Sequence, residues 1–351
     1  MNNEPIDVLY LWCDDADPEF KKSRLDRMKQ LGYEVSDEEN CGSMRFVSND
    51  ELKYSLRSVH QNIPWINHIW IVTNNQRPAW LKEHPKVTVV DHTECIPSHL
   101  LPSFNSVTIE NWAFLNIKGL SEKFIYFNDD MFVNAPLTKD FFFDGDTPLV
   151  RMERQAFVAP YGNKHISTSE IKTLDHIKQL IEDPKTVSYT STLLRAWHLI
   201  CEKYGMQDFL ISEHVCEPMT KSILAHVQSK YPQILEANAH AFRTGLEIQR
   251  LIYPLEAYYG LNMKLLIRDK RKLSPYQKLM RSLQRRTNFF PKKSFIECYC
   301  GSECDKVRKT IEHLHPLLFC LNAAPYSSKE EKLKSREMLE RLFPIPSPYE
   351  K

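Results

Sequence analysis

Glycine is scarce in this sequence, and its scarcity limits how the chain can bind a nucleotide. Only nine of the 351 residues are glycine. Neither the G-x-G-x-x-G pattern of dinucleotide-binding loops nor the P-loop pattern occurs, which excludes the phosphate-binding loops that are built from glycine backbone. A bound nucleotide would have to be held by side chains and by the N-termini of helices.

Long apolar runs and a strong net charge are missing too. No stretch of about 18 consecutive apolar residues occurs, so we expect no transmembrane helix. Residues 1–5 lack the basic and apolar regions of a signal peptide, and we therefore expect a cytoplasmic protein. A net charge of +1 gives no overall attraction to nucleic acid, and we expect none as a partner. The nine scattered cysteines, an odd number, fit reduced thiols.

Short apolar runs that end in polar residues are the main pattern of the first 150 residues. These runs occupy residues 6–12, 69–73, 87–90 and 124–127, and each is followed within two residues by Asp or Asn. Runs of this length predict buried strands. The polar residues after them then lie where each strand ends.

A helical pattern separates the first two of these runs. Leu52, Leu56 and Val59 recur at helical spacing, and Ser48 or Asn49 could cap the start of the helix. Alternating strands and helices are typical of α/β proteins, so we expect a Rossmann-like parallel or mixed sheet with flanking helices. Ligands of such sheets bind at the carboxyl ends of the strands.

Two adjacent carboxylates follow the apolar run of residues 124–127. Asp129 and Asp130 come directly after Asn128, at the expected carboxyl edge of the sheet. Mg²⁺ usually takes one or two protein carboxylates together with substrate phosphates, so we expect this pair to hold Mg²⁺ or Mn²⁺. The alternative is a plain solvated turn, in which Asn and Asp are common.

The composition predicts three regions along the chain. Residues 1–150 form the expected nucleotide-sugar-binding α/β region. Residues 151–260 carry apolar stripes at helical spacing, among them Ile223, Val227 and Ile234 on one helix, and they predict a mainly helical part that completes the site. Residues 261–351 contain a basic stretch, 264–293. A basic amphipathic helix suits an anionic membrane surface or an anionic glycan, although a solvated helix face has the same composition.

Four blocks of this sequence resemble the conserved blocks of the Stealth phosphotransferases. The first block spans residues 6–17, and the second, which is the longest and most specific, runs from Arg45 to Phe132. The third comprises residues 214–218 and 240–243, and the fourth spans residues 342–350. They occur in the family's order and extend over nearly the whole chain.

The resemblance implies a sugar-phosphate transferase of bacterial capsule or surface polysaccharide. Such an enzyme transfers a hexose 1-phosphate, such as an N-acetylhexosamine 1-phosphate, from a nucleotide sugar, expected to be UDP-linked, to a glycan hydroxyl or a lipid-linked oligosaccharide. UMP leaves and a phosphodiester forms. We expect peripheral contact with the inner face of the membrane through residues 264–293.

The resemblance also implies a set of site residues. Four are expected to be catalytic, with His214 as the general base, Arg243 on the phosphate, and Asp129 and Asp130 on the metal. The expected substrate-binding residues are Asp7, Trp12, Asp14, Asp17, Arg45, Asn49, Glu51, Arg57, Asn74, Gln76, Asn105, Ser106, Asn128 and Asn322.

Three positions depart from the family pattern and keep two alternatives open. Ser48, Asn74 and Ala323 stand where acidic residues are usual, which weakens any metal-ligand role there. One alternative is a conventional glycosyltransferase that releases UDP. The other is a non-catalytic protein that binds glycan during polysaccharide assembly.

Overall fold

The computed structural model describes most of the chain. The described residues are 4–33, 46–154, 157–158, 166–183, 189–239, 242, 255–262, 267–268, 295–300, 304–323 and 328–351. None of the helices in these ranges is both long enough and apolar enough to cross a membrane.

Strands and helices alternate through the first 150 residues. In chain order they are β1 (Ile6–Leu11), α1 (Pro18–Gln30), α2 (Glu51–Asn62), β2 (Ile69–Thr73), β3 (Val87–Asp91), α3 (His92–Cys95), α4 (Ser106–Asn116), β4 (Lys123–Asn128), β5 (Met131–Val133), β6 (Phe143–Asp144) and β7 (Thr147–Val150).

Helices are more frequent in the remainder. The elements are β8 (Met152–Arg154), β9 (Phe157–Val158), β10 (Ile166–Ser167), α5 (Leu174–Glu182), α6 (Tyr189–Tyr204), β11 (Leu210–Ser212), β12 (Glu217–Thr220), α7 (Lys221–Lys230), α8 (Pro232–Ala239), α9 (Glu256–Asn262), β13 (Ile267–Arg268), β14 (Phe295–Cys300), α10 (Cys304–Leu314), β15 (Leu318–Ala323) and α11 (Lys329–Leu342).

A five-stranded sheet with the order β12-β4-β1-β2-β3 forms the centre of the fold. Strands β1 to β4 are parallel to their neighbours, and β12 pairs with β4 in the antiparallel direction. The predicted α/β fold with a mixed sheet and flanking helices is confirmed. Leu11 lies opposite both Val72 and Asn128, so the polar residues that follow β1, β2 and β4 meet at one edge.

Helices cover both faces of this sheet. Leu52, Leu56 and Val59 of α2 pack on the face that carries Val8 and Tyr10. The opposite face carries Leu9 and is covered by α4, in which Phe114 contacts Phe124 and Tyr126. Successive strand residues point to opposite faces, which is why strands buried on both sides are apolar throughout.

The cap of α2 differs from the sequence prediction. Asp50 occupies the cap position with a left-handed backbone at φ 66°, and no side chain caps the helix there. The side chain of Asn49 instead donates to the carbonyl oxygen of Lys332 at 3.0 Å. The prediction that Ser48 or Asn49 caps α2 is therefore wrong.

A smaller sheet with the order β14-β15-β5 continues from the end of β4. Strand β15 runs antiparallel to β5, and β14 is parallel to β15. The backbone N–H of Leu321 donates to the carbonyl oxygen of Asp130 at 2.8 Å. This bond joins the C-terminal part of the chain to the turn that follows β4.

Residues 166–262 contribute a second core, built mainly from helices. Trp197 and Ile200 of α6 pack with Ile177 of α5 and Val227 of α7. The predicted stripe through Val227 and Ile234 forms two helices, α7 and α8, because α7 ends at Tyr231 and Pro232 starts α8. Strand β12 comes from this part of the chain yet completes the central sheet, so the predicted regions interlock.

Candidate active site

The turn between β4 and β5 forms the middle of the candidate site. Asn128 ends β4, and Asp129 and Asp130 follow it at the carboxyl edge. The hydroxyl of Tyr126 lies 2.8 Å from Asn128 Oδ1, and the backbone N–H of Asn128 lies 3.3 Å from the Met131 sulfur. These contacts hold Asn128 in position, so the start of the turn that carries Asp129 and Asp130 is fixed.

A third carboxylate joins this pair from the start of α2. Burial, together with the charges of Asp130 and Asp50, raises the pKa of Glu51 to about 7, although hydrogen bonds from backbone N–H groups act in the opposite direction. Burial also raises the pKa of Asp129 well above its ordinary value, and the charges of Asp130 and Glu51 add to this effect. Glu51, Asp129 and Asp130 therefore form one desolvated acidic cluster.

His214 lies at the same edge. Strand β12 is antiparallel to β4, and its first residue, Glu217, is opposite Tyr126. The residues just before Glu217 therefore run alongside the turn at Asp129. The carbonyl oxygen of Glu213 accepts from the N–H of Val215 at 2.8 Å, which bends the backbone at His214. The structure thus brings His214 near the acidic cluster.

Asn322 reaches the cluster through the smaller sheet. Cys320 is opposite Met131, and the Leu321 N–H is bonded to Asp130. Continuing this antiparallel register places the backbone of Asn322 beside Asp129. Ala323 is the last residue of the same strand.

The loop after β1 is held mainly by residues of two other loops, Gln76 after β2 and Ser48 before α2. The amide of Gln76 binds the backbone of Asp14 twice, accepting from its N–H at 3.0 Å and donating to its carbonyl oxygen at 2.8 Å. The carboxylate of Asp14 accepts from the N–H groups of Ala16 and Ser48. The indole of Trp12 donates to the Ser48 hydroxyl at 3.3 Å. Ser48 therefore still accepts a hydrogen bond at a position where an acid is usual.

Asp17 is committed to α1. Its carboxylate caps the helix by accepting from the N–H groups of Glu19 at 2.9 Å and Phe20 at 3.3 Å. Burial raises its pKa, but the hydrogen bonds from Phe20, Glu19 and Gln76 outweigh burial and lower the pKa overall. The predicted substrate contact of Asp17 does not fit this role, because the helix already occupies its carboxylate.

Asp7 and Arg57 each have partners within the fold. Asp7 lies near the start of β1 and accepts from Asn67, Trp70 and Ser121 at 2.8 to 2.9 Å. Arg57 is 4% exposed and donates to the carboxylates of Glu350 and Glu340 and to the Phe343 carbonyl oxygen. Both side chains therefore support the fold, and their substrate contacts stay predictions.

Other predicted binding residues lie around the rim. Asn74 follows β2 directly and is half-buried. The Asn105 side chain caps α4 by accepting from Val107 N–H at 3.1 Å, and Ser106 is the exposed first residue of that helix. Asn105 and Asn49 thus have structural partners, whereas Asn74 and Ser106 stand nearer to solvent.

Arg45 and Arg243 lie outside the described residues, as does the basic stretch 264–293 apart from Ile267 and Arg268. The residue before Arg243 is described. Phe242 is 1% exposed, and its ring lies 5.9 Å from Phe104 and 6.3 Å from Phe46. Phe242 therefore packs against aromatic side chains of the segments that precede α2 and α4.

Sequence reasoning missed a polar contact beneath the turn. Glu110 of α4 is 2% exposed, and its Oε1 lies 3.1 Å from the hydroxyl of Tyr126, which in turn contacts Asn128. The sequence does contain a sign of this contact, because Thr108, Glu110 and Asn111 are polar residues in a largely apolar helix. Burial of such residues usually means that they are hydrogen-bonded.

The acidic cluster fits a hard cation only in part. Across the described residues, no group of three or more His, Cys, Asp or Glu side chains is arranged to enclose a metal ion. Mg²⁺ typically keeps waters and substrate phosphates among its ligands, and two carboxylates at a sheet edge are enough for that mode.

Comparison with known proteins finds a match to one family model. Residues 45–149 match the model of Stealth protein CR2, conserved region 2. The chain carries conserved region 2 of the Stealth proteins. The predicted resemblance is confirmed, and the matched Stealth region contains the acidic cluster together with Asn74 and Gln76.

Curated relatives of this chain are named as exopolysaccharide phosphotransferases. SCO6023 from Streptomyces coelicolor is 35% identical over 261 residues, which are 73% of this chain and 40% of the relative. CpsY from Mycobacterium tuberculosis is 30% identical over 355 residues, which are 99% of this chain and 58% of the relative. The chain thus spans about half the length of these relatives.

One solved structure aligns with nearly all of the chain. It is the galactosyltransferase LgtC in complex with donor and acceptor sugar analogues, and the alignment covers 97% of this chain and 96% of that one at 9% identity. The TM-score is 0.38, which is too low to relate the two folds.

Proposed function

We propose that this chain transfers a hexose 1-phosphate from a UDP-sugar to a hydroxyl group of a surface polysaccharide and releases UMP. The observation that carries the proposal is the desolvated cluster of Glu51, Asp129 and Asp130 at the carboxyl edge of the sheet, inside a Stealth region. The names of the curated relatives support the class of reaction.

The acidic cluster suits a diphosphate donor only if a cation lies between them. Carboxylates and phosphates repel each other, and Mg²⁺ or Mn²⁺ would neutralise both when bound. We assign Asp129 and Asp130 as the protein ligands of this cation. Glu51, which is 7% exposed, adds negative charge behind them and favours cation binding.

The remaining residues would handle the reacting groups. His214 lies beside the turn and would accept the proton of the acceptor hydroxyl as its oxygen forms a bond to the phosphorus that carries the sugar. The bond from this phosphorus to the bridging oxygen breaks, and UMP leaves with that oxygen. Arg243 and Arg45 would stabilise the negative charge on the phosphate oxygens.

The donor would be held by side chains rather than by a glycine loop. We assign this role to residues after the strands at the edge, which are Trp12, Asn74, Asn128 and Asn322. Asp14, Gln76, Asn49, Asn105 and Ser106 would shape the loops around the donor.

Product analysis tests the proposal. Purified protein is incubated with a panel of UDP-sugars, Mg²⁺ and a lipid-linked oligosaccharide, and the released nucleotide is identified. UMP supports the proposal, and UDP indicates a conventional glycosyltransferase. No release with any donor indicates a protein that binds glycan. Asp130→Asn should abolish release, whereas Asp144→Asn, an exposed acid at the end of β6, should leave it unchanged.

The basic residues within 264–293 concern where in the cell the enzyme would act. We propose that their positive charge keeps the enzyme at the inner, anionic face of the membrane, where lipid-linked acceptors are found. Each basic residue near such a surface contributes about 1 kcal/mol of attraction, and salt screens it.

A further inference from the structure

Three polar side chains of α2 are bonded to the backbone of β5. Ser55 Oγ donates to the carbonyl oxygen of Met131 at 2.5 Å. Ser58 Oγ accepts from the N–H of Val133 at 3.1 Å, and Asn62 Nδ2 donates to the Val133 carbonyl oxygen at 2.7 Å. Ser55 and Ser58 are fully buried.

Glu51 belongs to the same stripe. It precedes Ser55 by four residues, and residues four apart lie on one helix face. The hydrogen bond between Ser55 and Met131, which we call the Ser55 rung, is the one next to the turn, because Met131 directly follows Asp130. The distance between Glu51 and the turn therefore depends most directly on the Ser55 bond.

Tyr10 of β1 completes this rung from the other side. Its hydroxyl lies 2.7 Å from Ser55 Oγ, and both groups are fully buried. Because the single proton of Ser55 points to Met131, Tyr10 must donate to Ser55. A directed chain of two hydroxyls thus connects the central strand, the helix and the turn.

This chain of hydroxyls sets the position of α2 relative to the turn. Apolar packing alone would allow the helix to slide, whereas directed hydrogen bonds fix its place. We propose that Ser55 and Tyr10 are positioning residues, which hold the Asp129–Asp130 turn in place beside α2 so that these two carboxylates can bind one divalent cation. The inference rests on the proposed function, since it concerns the cation that serves the UDP-sugar.

Ser58 provides a matched control. It is a serine of the same helix with the same burial, it is bonded to the same strand, and its hydroxyl donates to the carbonyl oxygen of Ser55 at 2.7 Å. Its partner Val133 lies two residues beyond Met131, farther from the turn. Loss of either serine hydroxyl removes one buried group, but only the Ser55 hydroxyl contacts the residue next to Asp130.

The test measures binding of Mn²⁺ alone to the purified full chain, by electron paramagnetic resonance of the free ion. Groups that orient metal ligands typically contribute about 10- to 100-fold to metal affinity. We expect Ser55→Ala to weaken Mn²⁺ binding about 10-fold or more, and Tyr10→Phe to weaken it several-fold. The Mn²⁺ affinity of Ser58→Ala should stay within about 2-fold of the parent's. Its thermal midpoint should nevertheless fall by about as much as that of Ser55→Ala.

Each outcome decides the matter. Equal Mn²⁺ affinities for Ser55→Ala and Ser58→Ala would show that the rung only supports the fold, and would overturn the inference. If Ser55→Ala does not fold, Tyr10→Phe, which keeps the aromatic ring, replaces it as the test variant. An unchanged Mn²⁺ affinity of Tyr10→Phe would then overturn the inference. A parent that does not bind Mn²⁺ would overturn it as well.

The release of UMP by the parent separates this inference from the proposed function. If the parent's Mn²⁺ affinity depends on the Ser55 rung but the parent releases no UMP from any UDP-sugar, the positioning role stands and the proposed reaction does not. If the parent releases UMP while Ser55→Ala binds Mn²⁺ normally, the proposed reaction stands and the positioning role does not.

Discussion

Replacing Glu51 with glutamine should stabilise the metal-free protein at pH 8 while it removes transfer activity. Glu51 is buried, and burial together with the charges of Asp130 and Asp50 raises its pKa to about 7. At pH 8 the folded protein therefore carries a carboxylate in a place that favours the neutral acid. Glutamine has nearly the same shape and no charge, so it relieves this cost.

The size and sign of the effect follow from linkage between protonation and folding. The pKa rises from an ordinary 4.5 to about 7, and each unit corresponds to about 1.36 kcal/mol, so the full cost is about 3 kcal/mol. Between pH 4.5 and pH 7 the folded protein binds more protons than the unfolded chain, and the free energy of unfolding falls as the pH rises. The cost is absent below pH 4.5 and complete above pH 7.

Urea unfolding in EDTA measures the prediction at pH 5 and pH 8. Glu51→Gln should match the parent within about 1 kcal/mol at pH 5 and exceed it by about 3 kcal/mol at pH 8. Glu337→Gln, at an exposed site on α11, controls for the loss of one negative charge. A gain that is the same at both pH values, or a loss of stability at pH 8, would refute the idea of a strained carboxylate.

The other predictions concern the reaction, the fold and the membrane. His214→Ala should lower the rate of UMP release about 10²- to 10⁴-fold and Arg243→Ala about 10²- to 10³-fold, each with little change in the thermal midpoint. EDTA should suppress UMP release, and added Mg²⁺ or Mn²⁺ should restore it. Glu350→Ala should lower the free energy of unfolding by about 1–3 kcal/mol, because it removes a buried partner of a charged group, whereas Glu340→Ala, an exposed partner, should cost less than about 1 kcal/mol. Neutral substitutions of basic residues within 264–293 should weaken sedimentation with anionic liposomes at low salt and spare transfer to a short soluble acceptor.

Contrary outcomes are equally clear. Near-normal UMP release from the His214 variant would remove that residue from the site, and full release in EDTA would show that no divalent cation takes part. Equal losses for Glu350→Ala and Glu340→Ala would mean that burial does not distinguish the two ion pairs. Unchanged liposome binding would show that the basic stretch is only a solvated face.

The position of the site could be predicted from the sequence because it depends on local patterns. An apolar run of four to seven residues that ends in Asp or Asn identifies both a buried strand and its carboxyl end. Parallel strands bring those ends to one edge. Asp129, Asp130 and Asn74 were predicted as site residues in this way, and the direction of the chain alone predicts the edge at which they lie.

The environment of Glu51 could not be predicted in this way. The contact between α2 and the turn joins residues that are about 75 positions apart, such as Ser55 and Met131, and no local pattern records it. The raised pKa of Glu51 depends on that contact. The left-handed backbone at Asp50 also shifted the helix start by one residue from the expected cap.

Motif matching did not reveal the structural partners of Asp7 and Arg57, for a physical reason. A motif marks residues that the family requires, but it does not distinguish a residue that contacts substrate from one that holds the scaffold. Both side chains are charged and have 4% exposure or less, and a buried charge must be paired. Their partners, such as Asn67 for Asp7 and Glu350 for Arg57, lie elsewhere in the sequence and are identified only in the folded chain.

Helix α2 shows how these parts act together. It carries Glu51 at its start, Ser55 in its middle, and Arg57, which is bonded to Glu350 in the last block of the chain. A helix that places a repelled carboxylate needs attachments strong enough to resist the repulsion, and charged hydrogen bonds are among the strongest available. The C-terminal block therefore contributes to the site without touching it, since it fixes the helix on which the acidic cluster depends. This explains in physical terms why a family motif would extend to a segment that lies far from the acidic turn in sequence.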